Sequence, residues 1–154
     1  MGESEYPVEA IVTAGSDTLA ARVGRASDEE LAAGMSDPVA RKTVLDQIFA
    51  RMADHADPAQ IAGLDAIVHF KITGAPGGGA DVYEAVFRDG EVTVSDEPTV
   101  ERPKLRITVA PVPFVKLVTG HESGPALLMH GKIKVWGNLA LARRLPSFFR
   151  ILAS

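Results

Sequence analysis

The spacing of apolar residues divides the chain into a helical first part and a second part rich in strands. Ser27 and Glu30 have the spacing of a capping box, which predicts a helix from Ser27 to about Met35. Asp37-Pro38 then starts a second helix, with Asp as its cap and Pro in its first turn. Apolar residues recur along this helix at a period of about 3.6 and form one stripe, namely Leu45, Ile48, Phe49, Met52 and Ala56.

From Asp65 onward the period of the apolar residues changes to about 2, as in strands that bury one face. In the first strand, His69 and Lys71 are expected to point outward, opposite Val68, Phe70 and Ile72. The same alternation recurs four more times, and the predicted strands cover residues 65–73, 81–88, 91–95, 104–109 and 132–136. The fold class that follows is α+β, with a five-stranded, mainly antiparallel sheet and helices packed over one face.

The sequence also predicts the turns and helices that connect these strands. Asp89-Gly90 indicates a two-residue hairpin turn. Phe114, Leu117 and Val118 predict a short helix between the fourth and fifth strands, and Asn138 can cap a final helix. The apolar stripe of that final helix is Leu141, Leu145, Phe148, Phe149 and Leu152.

Length and composition narrow the classes of protein. The chain has 154 residues, enough for one domain, and 46% of them are hydrophobic. A net charge of −4 argues against a nucleic-acid partner, and the absence of cysteine excludes disulfides, thiolate metal sites and cysteine nucleophiles. The acidic start carries no apolar stretch of the kind found in signal peptides, so we expect a cytoplasmic protein. We expect residues 1–26 to be a weakly structured leader and residues 27–154 to form the domain.

Candidate catalytic and metal-binding groups are sparse. His55, His69, His121 and His130 lack the close spacing of metal ligands. His121-Glu122-Ser123 holds three useful residue types in a row, but consecutive side chains point in different directions and cannot form a triad. We therefore expect neither a catalytic site, nor a metal, nor a cofactor.

Three segments, taken in order, resemble the sterol carrier protein type-2 (sterol-transfer) family. They are residues 114–120, 131–135 and 137–142, and the strand from His69 and the Asp89-Gly90 hairpin also fall where that family has them. The end, Leu152-Ala153-Ser154, is not a peroxisomal address, so the resemblance is to a stand-alone, bacterial-type member. The resemblance implies an apolar tunnel between sheet and helices. It also implies non-catalytic binding and transfer or presentation of a fatty acid, fatty acyl-CoA, sterol or phospholipid.

The residues that such a tunnel would use follow from the apolar stripes and the resemblance. An alternative is that these side chains pack against each other and leave the core filled, as in an interaction or accessory module of a lipid-handling enzyme complex. Arg144 is expected at the rim, where it could meet an anionic headgroup. The predicted ligand-binding residues are Phe49, Met52, Phe70, Phe87, Phe114, Leu117, Met129, Leu141, Arg144, Leu145, Phe148 and Phe149.

Trp136 and a late basic cluster suggest surface contacts. By strand parity Trp136 shares a face with Lys132 and Lys134. An outward Trp beside lysines favours transient membrane contact, or a homodimer or protein partner; the alternative is a Trp packed on a neighbouring strand. The cluster is Lys132, Lys134, Arg143, Arg144 and Arg150, and the alternative to headgroup binding is a solvated charged face.

Overall fold

Within its described residues, the computed structural model has three helices before the first strand of the sheet. The structure describes residues 26–144 apart from 55, 57 and 120, together with all side chains in that part except those of 60 and 144. The helices are α1 (Asp28–Met35), α2 (Pro38–Asp54) and α3 (Pro58–Ile61). The predicted capping box is confirmed, because Glu30 N donates to Ser27 Oγ at 3.1 Å and Ser27 N donates to Glu30 Oε1 at 2.8 Å. Asp37 caps α2 by accepting a hydrogen bond from Ala40 N.

The five predicted strands are confirmed, each to within one residue at both ends. They are β1 (Ala66–Thr73), β2 (Ala80–Arg88), β3 (Glu91–Ser95), β4 (Leu105–Val109) and β5 (Ile133–Gly137). Asp89 and Gly90 join β2 to β3 with φ angles of 56° and 75°, the left-handed backbone that a tight hairpin turn requires.

The sheet has the order β3-β2-β1-β4-β5, so β1 lies at its centre. β1 pairs antiparallel with β2 but parallel with β4, and the other two pairs are antiparallel. The predicted fold class, a mainly antiparallel five-stranded sheet with helices over one face, is confirmed. A parallel β1–β4 pair requires a crossover, and residues 96–104 make it by passing from the β3 edge across the sheet.

The remaining helices connect and follow the last two strands. They are α4 (Pro111–Val118), α5 (Gly124–Met129) and α6 (Leu139–Arg144). α4 is the predicted short helix, and Asn138 caps α6 as predicted, since Leu141 N donates to its Oδ1 at 3.0 Å. α5 was not predicted; Ser123 caps it by accepting a hydrogen bond from Ala126 N. None of the described helices is both long and apolar enough to cross a bilayer.

The inner face of the sheet and the apolar faces of the helices form the core. Alternate residues of the central strands are buried as predicted. These inward residues are Val68, Phe70, Ile72, Tyr83, Ala85, Phe87, Leu105, Ile107 and Val109.

The outer face departs from the prediction at His69. His69 does lie opposite Val68 and Phe70, but it is buried rather than exposed. The crossover covers it together with Glu84 of β2, whose carboxylate accepts hydrogen bonds from Thr99 N and Oγ1 at 2.9 and 2.8 Å and from His69 Nε2 at 2.9 Å. The alternation of polar residues was correct, but the segment that covers this pair comes from a later part of the chain.

Candidate functional site

Seven of the predicted ligand-binding side chains come together between the sheet and the helices. All are at most 5% exposed, and they come from α2, β1, β2, α4 and α6. They are Phe49, Met52, Phe70, Phe87, Phe114, Leu117 and Leu141. The helical stripe of α2 and the strand alternation place them there, because each element turns its apolar side to the same layer.

Phe49 lies at the centre of an aromatic group in this layer. Its ring centroid lies 5.3 Å from those of Phe70 and Phe114 and 4.4 Å from that of Tyr83. Tyr83, which points inward from β2, was not among the predicted site residues. Its hydroxyl donates to Asp46 Oδ1 at 2.6 Å, and burial together with this contact raises the pKa of the phenol. The group therefore has an apolar body and one polar end that reaches the surface of α2.

The expectation that Met129 lies with this apolar layer is wrong. Met129 is 86% exposed at the end of α5, whereas Leu127 is buried. Successive residues of a helix point about 100° apart, so a short helix that buries Leu127 turns Leu128 and Met129 toward solvent. Four other predicted site residues, the Arg144 side chain, Leu145, Phe148 and Phe149, lie outside the described residues.

Two cavities open where α4 begins. One, of about 340 Å³, lies between α1, α4 and α5, and the other, of about 380 Å³, lies at the end of β1 and β4 beside the turn before β5. Pro113 and Lys132 line both cavities. Pro113 was not predicted as a site residue, and Lys132 was predicted only as part of the basic cluster. The remaining residues that line the second cavity are Thr73, Thr108, Val109, Ala110, Gly131 and Lys134.

Two of the charged residues that line the first cavity form an ion pair. Lys116 Nζ lies 2.5 Å from Asp28 Oδ1, and the hydrogen bond from Lys116 lowers the pKa of this exposed carboxyl group. The positive charge of Lys132 acts on Asp28 in the same direction. Lys132 itself is exposed and lines both cavities, so its ammonium group can approach a ligand carboxylate.

Two of the polar residues in the His121-Glu122-Ser123 run make local structural contacts. His121 Nδ1 lies 3.0 Å from Thr119 Oγ1, while Ser123 caps α5, so these two side chains do not converge. Among the described residues, no group of three or more histidines or carboxylates is placed to hold a metal ion.

A comparison with models of protein families identifies the family of this chain. The model of the SCP-2 sterol transfer family matches residues 45–150, more than two thirds of the chain. The chain belongs to the SCP-2 sterol transfer family. The match contains α2 from Leu45 onward and every strand of the sheet, which confirms the resemblance stated from the sequence. No curated protein gives a significant match to the chain.

Solved structures show the SCP-2 fold in proteins of low identity to this chain. Sterol carrier protein domain 2 of Helicoverpa armigera has a TM-score of 0.59 at 23% identity, covering 71% of this chain and 87% of that one. The sterol carrier protein-2 of Aedes aegypti in complex with palmitate has a TM-score of 0.53 at 20% identity, covering 69% and 94%. The stereoselective inverting sec-alkylsulfatase of Pseudomonas sp. has a TM-score of 0.58 at 16% identity; 71% of this chain corresponds to 16% of that enzyme.

Trp136 of this SCP-2 domain lies at the surface and contacts the neighbouring strand. Trp136 is 49% exposed, and the guanidinium carbon of Arg106 lies 5.5 Å from its ring centroid. The residue therefore faces outward, and it also packs against a neighbouring strand. Lys132, Lys134 and Arg143 of the predicted basic cluster are exposed.

Proposed function

We propose that this protein binds a lipid with a long apolar chain and transfers or presents it without converting it. The observation that carries this proposal is the convergence of seven predicted lining residues into one apolar layer, in a chain that belongs to the SCP-2 sterol transfer family. The palmitate complex of the Aedes aegypti protein supports a fatty acid as the first ligand to test. We assign this role to residues 27–154, with residues 1–26 as a leader, and a cytoplasmic location stays a prediction.

The ligand chain is proposed to enter beside Pro113 and Lys132, the two residues that line both cavities. Cavities of about 340 and 380 Å³ fall in the range used by small-molecule sites, roughly 300–1,000 Å³. From there the chain would pass toward Phe114 of α4, which requires the packed aromatic rings to separate. Each buried methylene contributes about 0.8 kcal/mol, so a long acyl chain can offset that rearrangement.

Binding is tested with the delipidated full-length protein and a fluorescent fatty acid, with palmitate as competitor. We expect saturable binding, displacement by palmitate, and recovery of the ligand with unchanged mass. Absence of saturable binding of fatty acids and of sterols would refute the proposal. Conversion of a bound ester or thioester to a new product would refute its non-catalytic part.

Phe114→Ala tests the route through the apolar layer. Phe114 is 1% exposed and stacks on Phe49, so its truncation should lower affinity and also cost about 3–5 kcal/mol of stability. Circular dichroism establishes whether the variant is folded before affinity is measured. A folded Phe114→Ala protein with parental affinity for every lipid would remove this residue from the site.

The position of the headgroup is tested by comparing a fatty acid with the corresponding alcohol. Lys132→Gln should lower the affinity for the acid and leave that for the alcohol unchanged, if the carboxylate lies beside Lys132. The same result for Arg144→Gln would instead favour the earlier prediction of a rim beside the last helix. The effect should be about 1 kcal/mol and should shrink with salt, because the contact is exposed. Equal binding of acid and alcohol by the parent would show that neither cation recognises the headgroup.

A further inference from the structure

The outer face of the sheet carries a group of cations around the exposed Trp136. Strand pairing aligns Lys71 of β1 with Thr108 of β4, and Thr108 with Lys134 of β5; one step along, it aligns Arg106 with Trp136. Lys104 is exposed two residues before Arg106. We call this surface the basic face, and its residues are Lys71, Lys104, Arg106, Lys134 and Trp136.

The charge of the basic face is opposite to that of the whole chain. The chain has a net charge of −4, yet the outward positions of β1, β4 and β5, all of them described, carry no carboxylate. Within the described part of the chain, Lys71, Lys104 and Lys134 form no ion pair. Arg106 donates to the backbone oxygen of Glu101 at 2.7 Å, which leaves its charge uncompensated by that contact. The positive charges are therefore available to an external anionic surface.

Trp136 gives the same face an amphipathic anchor. Its ring is half exposed, and Arg106 holds it in place from the neighbouring strand. Trp side chains favour the boundary between water and lipid, because they combine a large apolar ring with one N–H donor. The cavity of about 380 Å³ opens beside this face, since Thr108 and Lys134 line it.

We propose that the basic face docks on membranes that contain anionic lipids. Lysines close to an anionic leaflet are attracted to it without a defined contact geometry, and the three exposed lysines of the basic face can act in this way. Interfaces with folded proteins are depleted in lysine, which favours a lipid surface over an acidic protein as the partner. Docking would bring the adjoining cavity to the membrane, but the attraction itself does not depend on a bound lipid.

The sole tryptophan of the chain makes the proposal directly measurable. Delipidated protein is mixed with vesicles of phosphatidylcholine alone, or of phosphatidylcholine with phosphatidylglycerol, and binding is measured by sedimentation. We expect binding to the anionic vesicles only, a shift of Trp136 emission to shorter wavelength, and weaker binding at high salt.

Matched variants locate the contact. Lys134→Gln should weaken binding to anionic vesicles about fivefold, and the double variant Lys71→Gln, Lys134→Gln about 25-fold, from the usual attraction per lysine. Arg88→Gln is the control, because Arg88 is exposed on the outer side of β2 and has only a 3.9 Å contact with Asp65. It should leave binding within about twofold of the parent, because Arg88 lies on β2, outside the basic face.

Several outcomes would overturn the proposal. These are absence of binding to anionic vesicles, equal binding to both vesicle types, unchanged Trp136 emission on binding, or equal losses in Lys134→Gln and Arg88→Gln. Palmitate binding is measured separately on the same proteins. A protein that binds palmitate but no vesicle would refute the docking face and leave the proposed function standing. A protein that binds anionic vesicles but no palmitate or sterol would refute the proposed function and leave the docking face standing.

Discussion

Arg41 offers the sharpest test of how the sheet is held to the helices. Its side chain lies on α2, is 2% exposed, and reaches the end of β1. Nε donates to Asp81 Oδ2 at 2.8 Å, Nη1 to Gly74 O at 3.2 Å, and Nη2 to Ile72 O and Thr73 O at 2.7 and 3.0 Å. One guanidinium thus satisfies three carbonyl groups where β1 ends.

The loss expected from Arg41→Ala follows from these contacts. The Asp81 side chain is 48% exposed, so water can replace its lost partner. The carbonyl group of Ile72 has a buried hydrogen bond, and buried groups left without a partner cost about 1–3 kcal/mol each, more beside a charge. With Thr73 O and the lost packing of the side chain, we expect a total loss of about 3–5 kcal/mol.

Urea unfolding followed by circular dichroism and Trp136 fluorescence measures this loss. Lys42→Ala is the matched control on the same helix, because Lys42 is 57% exposed and its pairs with Asp46 and Asp96 should contribute at most about 1 kcal/mol. Arg41→Lys should fall between the two, since an ammonium group cannot reach all four acceptors. A loss for Arg41→Ala no larger than for Lys42→Ala would show that these carbonyl groups find other partners, and would refute the reasoning.

Two further predictions concern the outer face and the end of β5. Burial acts to raise the pKa of Glu84, but hydrogen bonds from His69, Thr99 and Val100 outweigh it and hold the pKa below 4.5, its ordinary value. The carboxylate therefore stabilises the fold above about pH 4.5, and this contribution is lost as the pH falls through the lowered folded-state pKa. Glu84→Gln should flatten this acid dependence in unfolding experiments at a series of pH values; an unchanged profile would contradict the assignment. Gly137 has a φ of 109°, and an added Cβ would clash with the carbonyl oxygen of Lys104. Gly137→Ala should thus cost more than Gly63→Ala, where φ is also positive, 76°, but the space is open; equal losses would show that only the backbone angle matters.

Local patterns predicted most of the secondary structure. Alternation of apolar residues located all five strands, and the caps at Ser27, Asp37 and Asn138 were read from residue type and spacing alone. α5 was not predicted, because this helix has only six residues and buries a single one, Leu127, so it carries no apolar stripe at helical spacing. The strands and the caps depend on residues close together in the sequence, which is why the sequence alone was enough to predict them.

Features that join distant segments were not predictable in the same way. The burial of His69 depends on Thr99, and that of Arg41 on a strand end more than 30 residues away. The buried residues of the apolar layer could be named from their periodicity, but the cavities beside Pro113 arise where the ends of separate elements meet. Lys132 was predicted only as part of a basic cluster, and the fold shows that it lines both cavities.

The parallel pairing of β1 with β4 has a consequence for the order of folding. β1, β2 and β3 pair through short connections, whereas Val68 meets Leu105 only after a long loop has closed. Closing such a loop costs chain entropy before its contacts form, so we expect the three-strand meander to belong to the folding nucleus and β4 to join later. Kinetic φ-values should then be high for Ala85→Gly and low for Ile107→Val; the reverse order would place the nucleus at the parallel pair.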